Sequence, residues 1–128
     1  MTTLLLIPGL VSDARVWRAV CSAAPAWLAA ADADVTRQPT IEAMAATLLS
    51  ETEGPLIPVG HSMGGRVAMD MARQAPERIR GLVLANTGHD GARADEAPKR
   101  LAKIARGYED MMALAAEWLP PMLAQGTT

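Results

Sequence analysis

The sequence has no phenylalanine, a single tyrosine, a single cysteine and two histidines, and it contains no long apolar run. Each shortage excludes something. Cys21 alone cannot form an internal disulfide or supply a thiolate metal site. The small residues after it, in a helical stretch, make buried filler the expectation. The opening MTTLLLIPGLV has no basic stretch, and Pro8-Gly9 interrupts its apolar run, so it does not read as a secretion signal. No segment approaches the roughly 20 apolar residues that a membrane span needs. Acidic and basic residues nearly balance, 14 against 12, for a formal net charge of -2. The basic residues form no stripe, so no nucleic-acid partner and no membrane partner is expected, and the expected location is cytoplasmic.

What remains is apolar. Half of the 128 residues are hydrophobic and a fifth are charged, which suits one domain with a true core. Leu4 to Ile7 and Leu56 to Gly60 are continuous apolar runs ended by glycine or proline, the pattern of strands buried on both faces. ADADV, ending at Val35, is a weaker strand candidate, and IRGLVLANT a strong one around Leu82 to Leu84. Between them lie helical spacings. Val16, Trp17, Val20 and Ala24 follow a cap at Asp13 (or Ser12), with Pro25 beyond the end. Thr40 caps a stripe of Ile41, Met44, Ala45, Leu48 and Leu49, and Ser62 to Ala75 reads as a helix stopped by Pro76. Strands alternating with helices of this length mean β-α-β units and a parallel sheet, with right-handed crossovers placing helices on both faces. After Thr87 the chain turns polar, then gives two helices, Leu101 to Ala105 and Met111 to Leu119. The fold expected is α/β, a partial doubly wound parallel sheet of about four strands over residues 1–90, with a helical segment over 91–128.

LIPVGHSMGG, residues 56 to 65, sets a serine between glycines where a strand becomes a helix. In a parallel sheet, reactive groups gather at such junctions. A turn tight enough to lift Ser62 into the crevice brings the residues two before and two after it very close, which Gly60 and Gly64 allow. The helix start favours developing negative charge. The N–H of Met63 is placed to meet an oxyanion, and PGLVSD after the first strand can offer a second donor, for which Leu10 N–H is the candidate. The plainer alternative is a glycine-rich turn that only packs closely, around a phosphate for instance, but no lysine follows as a P-loop requires.

LLLIPGLVSDARVW and VGHSMGGRVAMDMARQAPERIRGLVLANT together resemble the α/β-hydrolase superfamily, in its serine esterase and lipase branch. The first resembles that family's third strand and oxyanion loop, the second its nucleophile turn, following helix and sixth strand. The resemblance implies a serine hydrolase acting on a small-molecule carboxylic ester through an acyl-enzyme, with no metal or organic cofactor. It makes Ser62 the nucleophile, with Leu10 and Met63 as oxyanion donors. It also implies a chain cut short: family members are usually about twice this length, and the helices from Asp95 to Leu119 resemble the start of the family's cap.

A serine hydroxyl needs a base. His61 adjoins Ser62 in sequence, so its side chain is expected to point away, as a structural part of the turn. His89 lies past the last strand at the same sheet end, where Asp90 or Asp95 could orient it, although GHDG also reads as a solvated turn. The eight methionines, Met44, Met69, Met71, Met111 and Met112 among them, are expected to fill gaps in core or cap. Helical packing is expected of Trp118, and surface ion pairing of Glu77 and Arg78. Sheet edges normally covered by neighbouring strands would be exposed, so self-association is expected. Two readings therefore stand: a serine esterase, and an inactive fragment of the same fold that binds a partner or self-assembles.

Overall fold

The computed structural model describes residues 1–91 and 96–126. Four strands, β1 (Thr3–Ile7), β2 (Ala29–Asp32), β3 (Leu56–His61) and β4 (Val83–Ala85), form one sheet in the order β2-β1-β3-β4. Every pairing is parallel. The chain winds outward from β1 to β2, then returns past β1 to add β3 and β4. The direction of winding thus reverses between β1 and β3. In open parallel sheets, ligands bind beyond the carboxyl ends of strands at such a reversal.

The helices are α1 (Arg18–Ala23), α2 (Ile41–Glu51), α3 (Met63–Gln74), α4 (Glu96–Glu109) and α5 (Met111–Trp118). Alternation along β1 and β3 sends side chains to two faces of the sheet. Leu5, Ile7 and Leu56 join Ala45, Leu48, Val67, Ala68 and Met71 of α2 and α3 in the larger core. Leu6 and Val59 meet Trp17 on the other face, with Leu4 and Ile57 beside them. Full burial of a large aliphatic side chain contributes about 1.5–3 kcal/mol, so the face under α2 and α3 supplies most of the packing energy.

Thr40 caps α2 as its sequence predicts, its hydroxyl accepting from Ala43 N–H at 3.1 Å. The far end of that helix is closed by Arg78. Its guanidinium donates to the carbonyls of Leu49 (2.6 Å), Thr52 (3.0 Å) and Gly54 (3.1 Å), which satisfies acceptors a helix terminus leaves open. This corrects the expectation of surface ion pairing. Arg78→Met is expected to cost about 2 kcal/mol of stability, because charge-assisted bonds to part-buried carbonyls are lost. Arg78→Lys should recover less than half of it, since an ammonium cannot reproduce the planar fork. Urea titration followed by circular dichroism measures both.

Two expectations fail around the first helix. Asp13 does cap it, accepting from Arg15 N–H at 3.0 Å, and the Arg15 side chain and amide hold its carboxyl at about 2. The first turn, Ala14–Trp17, is a 3-10 helix, with α1 only six residues long behind it. Three residues per turn break the stripe expected of one continuous α-helix. Trp17 is buried, but Val16 and Val20 are exposed, and Cys21 is exposed rather than filler. Ala24 ends α1 in an extended conformation, as the residue before Pro25 must. At the other edge, the strand expected around Leu82 to Leu84 runs from Val83 to Ala85 and pairs with Val59, Gly60 and His61, the last half of β3.

The chain divides into two compact units, Met1–His89 and Asp90–Thr128. The second consists of α4, α5 and the 3-10 turn Pro120–Met122. Among the described residues Leu114 is its buried one, Asp110 caps α5 through Ala113 N–H at 3.0 Å, and Arg106 pairs with Glu117 at 2.9 Å. Trp118 lies under the Lys103 ammonium, 5.4 Å from ring centre to nitrogen, which fits the packing role expected of it. Met71 fills the core as expected. Met111, Met112 and Met122 are exposed instead. Among the described residues, no helix is long and apolar enough to cross a membrane.

Candidate functional site

Ser62 stands between β3 and α3 with φ 53° and ψ -119°. A side chain in this region of backbone space is strained, and the surrounding structure has to hold it there. Two glycines explain how the turn closes. A Cβ at Gly60 would overlap the Gly64 carbonyl and lie 2.5 Å from Gly65 N. At Gly64 it would overlap the Ile7 carbonyl and lie 2.6 Å from Pro8 O. The serine is exposed, and its hydroxyl caps no amide of α3. The side chain is therefore not committed to starting the helix.

The loop after β1 passes directly beside it. Gly9 is buried, and a Cβ there would sit 3.0 Å from Ser62 Cβ and 3.1 Å from the His61 carbonyl. Leu10 follows with its side chain exposed, and Val11 takes a φ of 54°. A positive φ in a β-branched residue is a true outlier. Asn86, the first residue beyond β4, has φ 46°. Among the described residues, Val11, Ser62 and Asn86 are the non-glycine residues with positive φ. All lie just past the carboxyl ends of neighbouring strands. Strain gathered at one rim of a sheet is a mark of a functional site.

The turn is held from β4. Ser62 N–H donates to Ala85 O at 3.1 Å, and the Ser62 carbonyl accepts from Gly65 N–H at 3.0 Å and from the Thr87 hydroxyl at 2.7 Å. Gly65 lies so close to Thr87 that a Cβ would come within 2.6 Å of its side chain. Sequence reasoning missed Thr87, Gly65 and the backbones of Val11 and Asn86. A second glycine after the pentapeptide, and a hydroxyl two residues past the neighbouring strand, were the available signals.

The histidines are placed differently. His61 ends β3, paired in register with Ala85, and its Nδ1 is buried beside Gly9 without a hydrogen-bond partner among the described residues. Trp17 Nε1 is likewise buried and unpartnered. His89 is exposed, two residues beyond Thr87, and closes the first unit, while Asp90 opens the second. Asp95 lies outside the described residues. Two open hollows flank the β1 loop, one of about 430 Å³ against Val11, Ser12, Asp13 and Arg15. The other, of about 250 Å³, is lined by Pro8, Ser12 and residues near Asp32. Neither includes Ser62, which stands on the open rim. Among the described residues, no group of three or more His, Cys, Asp or Glu side chains is placed to hold a metal ion.

Known proteins resemble this chain. A family model described as alpha/beta hydrolase fold matches residues 41–119. Lipase LipV of Mycobacterium tuberculosis is 33% identical over 105 residues, covering 72% of this chain and 40% of that protein. A pimeloyl-(acyl-carrier protein) methyl ester esterase of Aromatoleum aromaticum is 34% identical over 91 residues, covering 66% of this chain and 36% of its own. The structure of a thermophilic esterase from Thermogutta terrifontis superposes with a TM-score of 0.77 at 25% identity, over 94% of this chain and 50% of the esterase. The chain thus spans half or less of the length of these relatives.

Proposed function

Because this chain belongs to the alpha/beta hydrolase fold family, we propose that it is a serine hydrolase acting on carboxylic esters. Ser62 Oγ would attack the ester carbonyl, expelling the alcohol and leaving an acyl group on Ser62, which water then removes. The oxyanion formed on the way would be met by the N–H groups of Met63 and Leu10. The observation that carries this reading is the strained, exposed Ser62 pressed against the β1 loop. Relatives named as a lipase and esterases support ester substrates. The reaction needs a base within hydrogen-bond reach of Oγ. With His61 Nδ1 buried beside Gly9, His89 is the histidine more open to that role. The test is incubation of the chain with a fluorophosphonate probe and with short acyl esters over a range of protein concentrations. Labelling at Ser62 with turnover supports the reading; neither, at any concentration, overturns it.

A second reading is favoured by one edge of the sheet. Among the described residues β4 is bonded only to β3, and Leu82, Val83 and Leu84 are 39%, 48% and 43% exposed. No charge interrupts Leu82 to Ala85 to discourage pairing. We propose that a second copy adds here, β4 against β4 about a two-fold axis, the self-complementary solution for an edge strand. Sedimentation velocity should show a concentration-dependent dimer that Val83→Lys converts to monomer. A wild-type chain monomeric throughout the range rejects the idea.

A further inference from the structure

The Ser62 carbonyl sits in the same peptide plane as the Met63 N–H. In a trans peptide these two groups point in opposite directions, and the described residues contain no cis bond. Whatever fixes the direction of the carbonyl therefore fixes the direction of the amide. Two donors hold that carbonyl, Gly65 N–H at 3.0 Å and the Thr87 hydroxyl at 2.7 Å. The hydroxyl has one proton and two oxygens within range, and Gly88 O at 3.4 Å is much the poorer acceptor. The proton goes to Ser62.

We propose that Thr87 is a positioning residue. By gripping the Ser62 carbonyl, its hydroxyl aims the Met63 N–H at the place where an oxyanion develops. The inference rests on the reading of Ser62 as nucleophile, and it assigns Thr87 no contact with substrate or with Oγ. Strain makes the grip necessary. Ser62, at φ 53° and ψ -119°, lies outside the helical region, so α3 grips the Ser62–Met63 peptide through the Gly65 N–H and Thr87 adds the second hold. A preorganised donor is effective only where it meets the developing charge. The fit at Gly65 supports this assignment: that residue's missing Cβ is what lets the Thr87 side chain approach.

The test compares Thr87→Val, which keeps the shape and removes the proton, with Thr87→Ser, which keeps the proton. Thr87→Val should slow fluorophosphonate labelling and lower kcat about tenfold with KM unchanged, within the roughly hundredfold that a 1 Å misplacement can cost. Thr87→Ser should return both to within about threefold of wild type, because the same hydroxyl remains available to the carbonyl. Equal labelling by wild type and Thr87→Val overturns the proposal, as does a loss that appears in KM alone. A second measurement needs no catalysis: the carbonyl 13C shift of Ser62 and the exchange rate of the Met63 amide. Both should change in Thr87→Val and recover in Thr87→Ser. Unchanged spectra overturn the proposal whether or not the chain labels, whereas a wild-type chain that fails to label overturns the hydrolase reading itself.

Discussion

Replacing Ser62 by alanine is expected to abolish labelling by a fluorophosphonate and to lower ester turnover by up to about a millionfold, as loss of the nucleophile does where nucleophile and base act as a unit. The fold should not notice. The Ser62 hydroxyl caps no amide of α3, so its removal strands no buried partner. Alanine also meets the same backbone penalty at φ 53° that serine already bears. The melting temperature of Ser62→Ala should therefore stay close to that of the parent. Ser62→Gly is the informative companion. It is equally inactive, yet it relieves the strain, for a gain on the order of 1 kcal/mol. A Ser62→Ala chain that keeps its turnover places the chemistry elsewhere. A Ser62→Gly chain less stable than Ser62→Ala shows that the turn is not strained.

A large loss of stability is expected at Gly64. A Cβ there would overlap the Ile7 carbonyl and lie 2.6 Å from Pro8 O and 2.8 Å from Ile7 C. These are main-chain atoms at the buried end of β1, with no side chain to swing aside. Alanine is the better helix former by about 1 kcal/mol, but over-packing a rigid site costs more. Gly64→Ala should therefore lose about 3 kcal/mol, at the upper end of what inserted methyl groups cost. Gly81→Ala is the control: the nearest atoms there are 3.9 Å away, on the flexible Ile57 side chain. Its change should fall within about 0.5 kcal/mol. Urea titration of the two variants gives both numbers. A Gly64→Ala chain as stable as Gly81→Ala would mean that β1 and α3 do not approach as closely as described.

The sequence made most of the sheet and the turn at Ser62 readable because both are encoded in short, contiguous signals, whereas the strand expected over ADADV lies earlier, at Ala29–Asp32. Leu4 to Ile7 and Leu56 to Gly60 are runs whose apolarity on both faces leaves little but a central parallel strand. Thr40 announces α2 through the one bond it makes to Ala43. The pentapeptide around Ser62 carries its own steric logic, since Gly60 and Gly64 are tested against atoms at most a few residues away or on the adjoining strand. What stayed hidden depends on partners distant in sequence. Arg78 finds its acceptors 24 to 29 residues earlier, and Thr87 finds Ser62 25 residues earlier. Neither separation has a period to read. Periodicity also says which residues share a side of a helix, not whether anything covers that side. Cys21, Val20 and Met112 look like core in the sequence and are exposed in the structure.

Val11, Ser62 and Asn86 carry a consequence for how such a chain can change over time. Each holds its awkward backbone at a cost of roughly 1–3 kcal/mol, against the 5–15 kcal/mol of net stability typical of a domain. Selection for heat tolerance alone would draw positions 11 and 86 toward glycine, which bears that geometry without penalty. Where those positions resist the drift, the resistance itself measures what the rim does for its owner, because only a duty performed there can outweigh the thermal gain forgone.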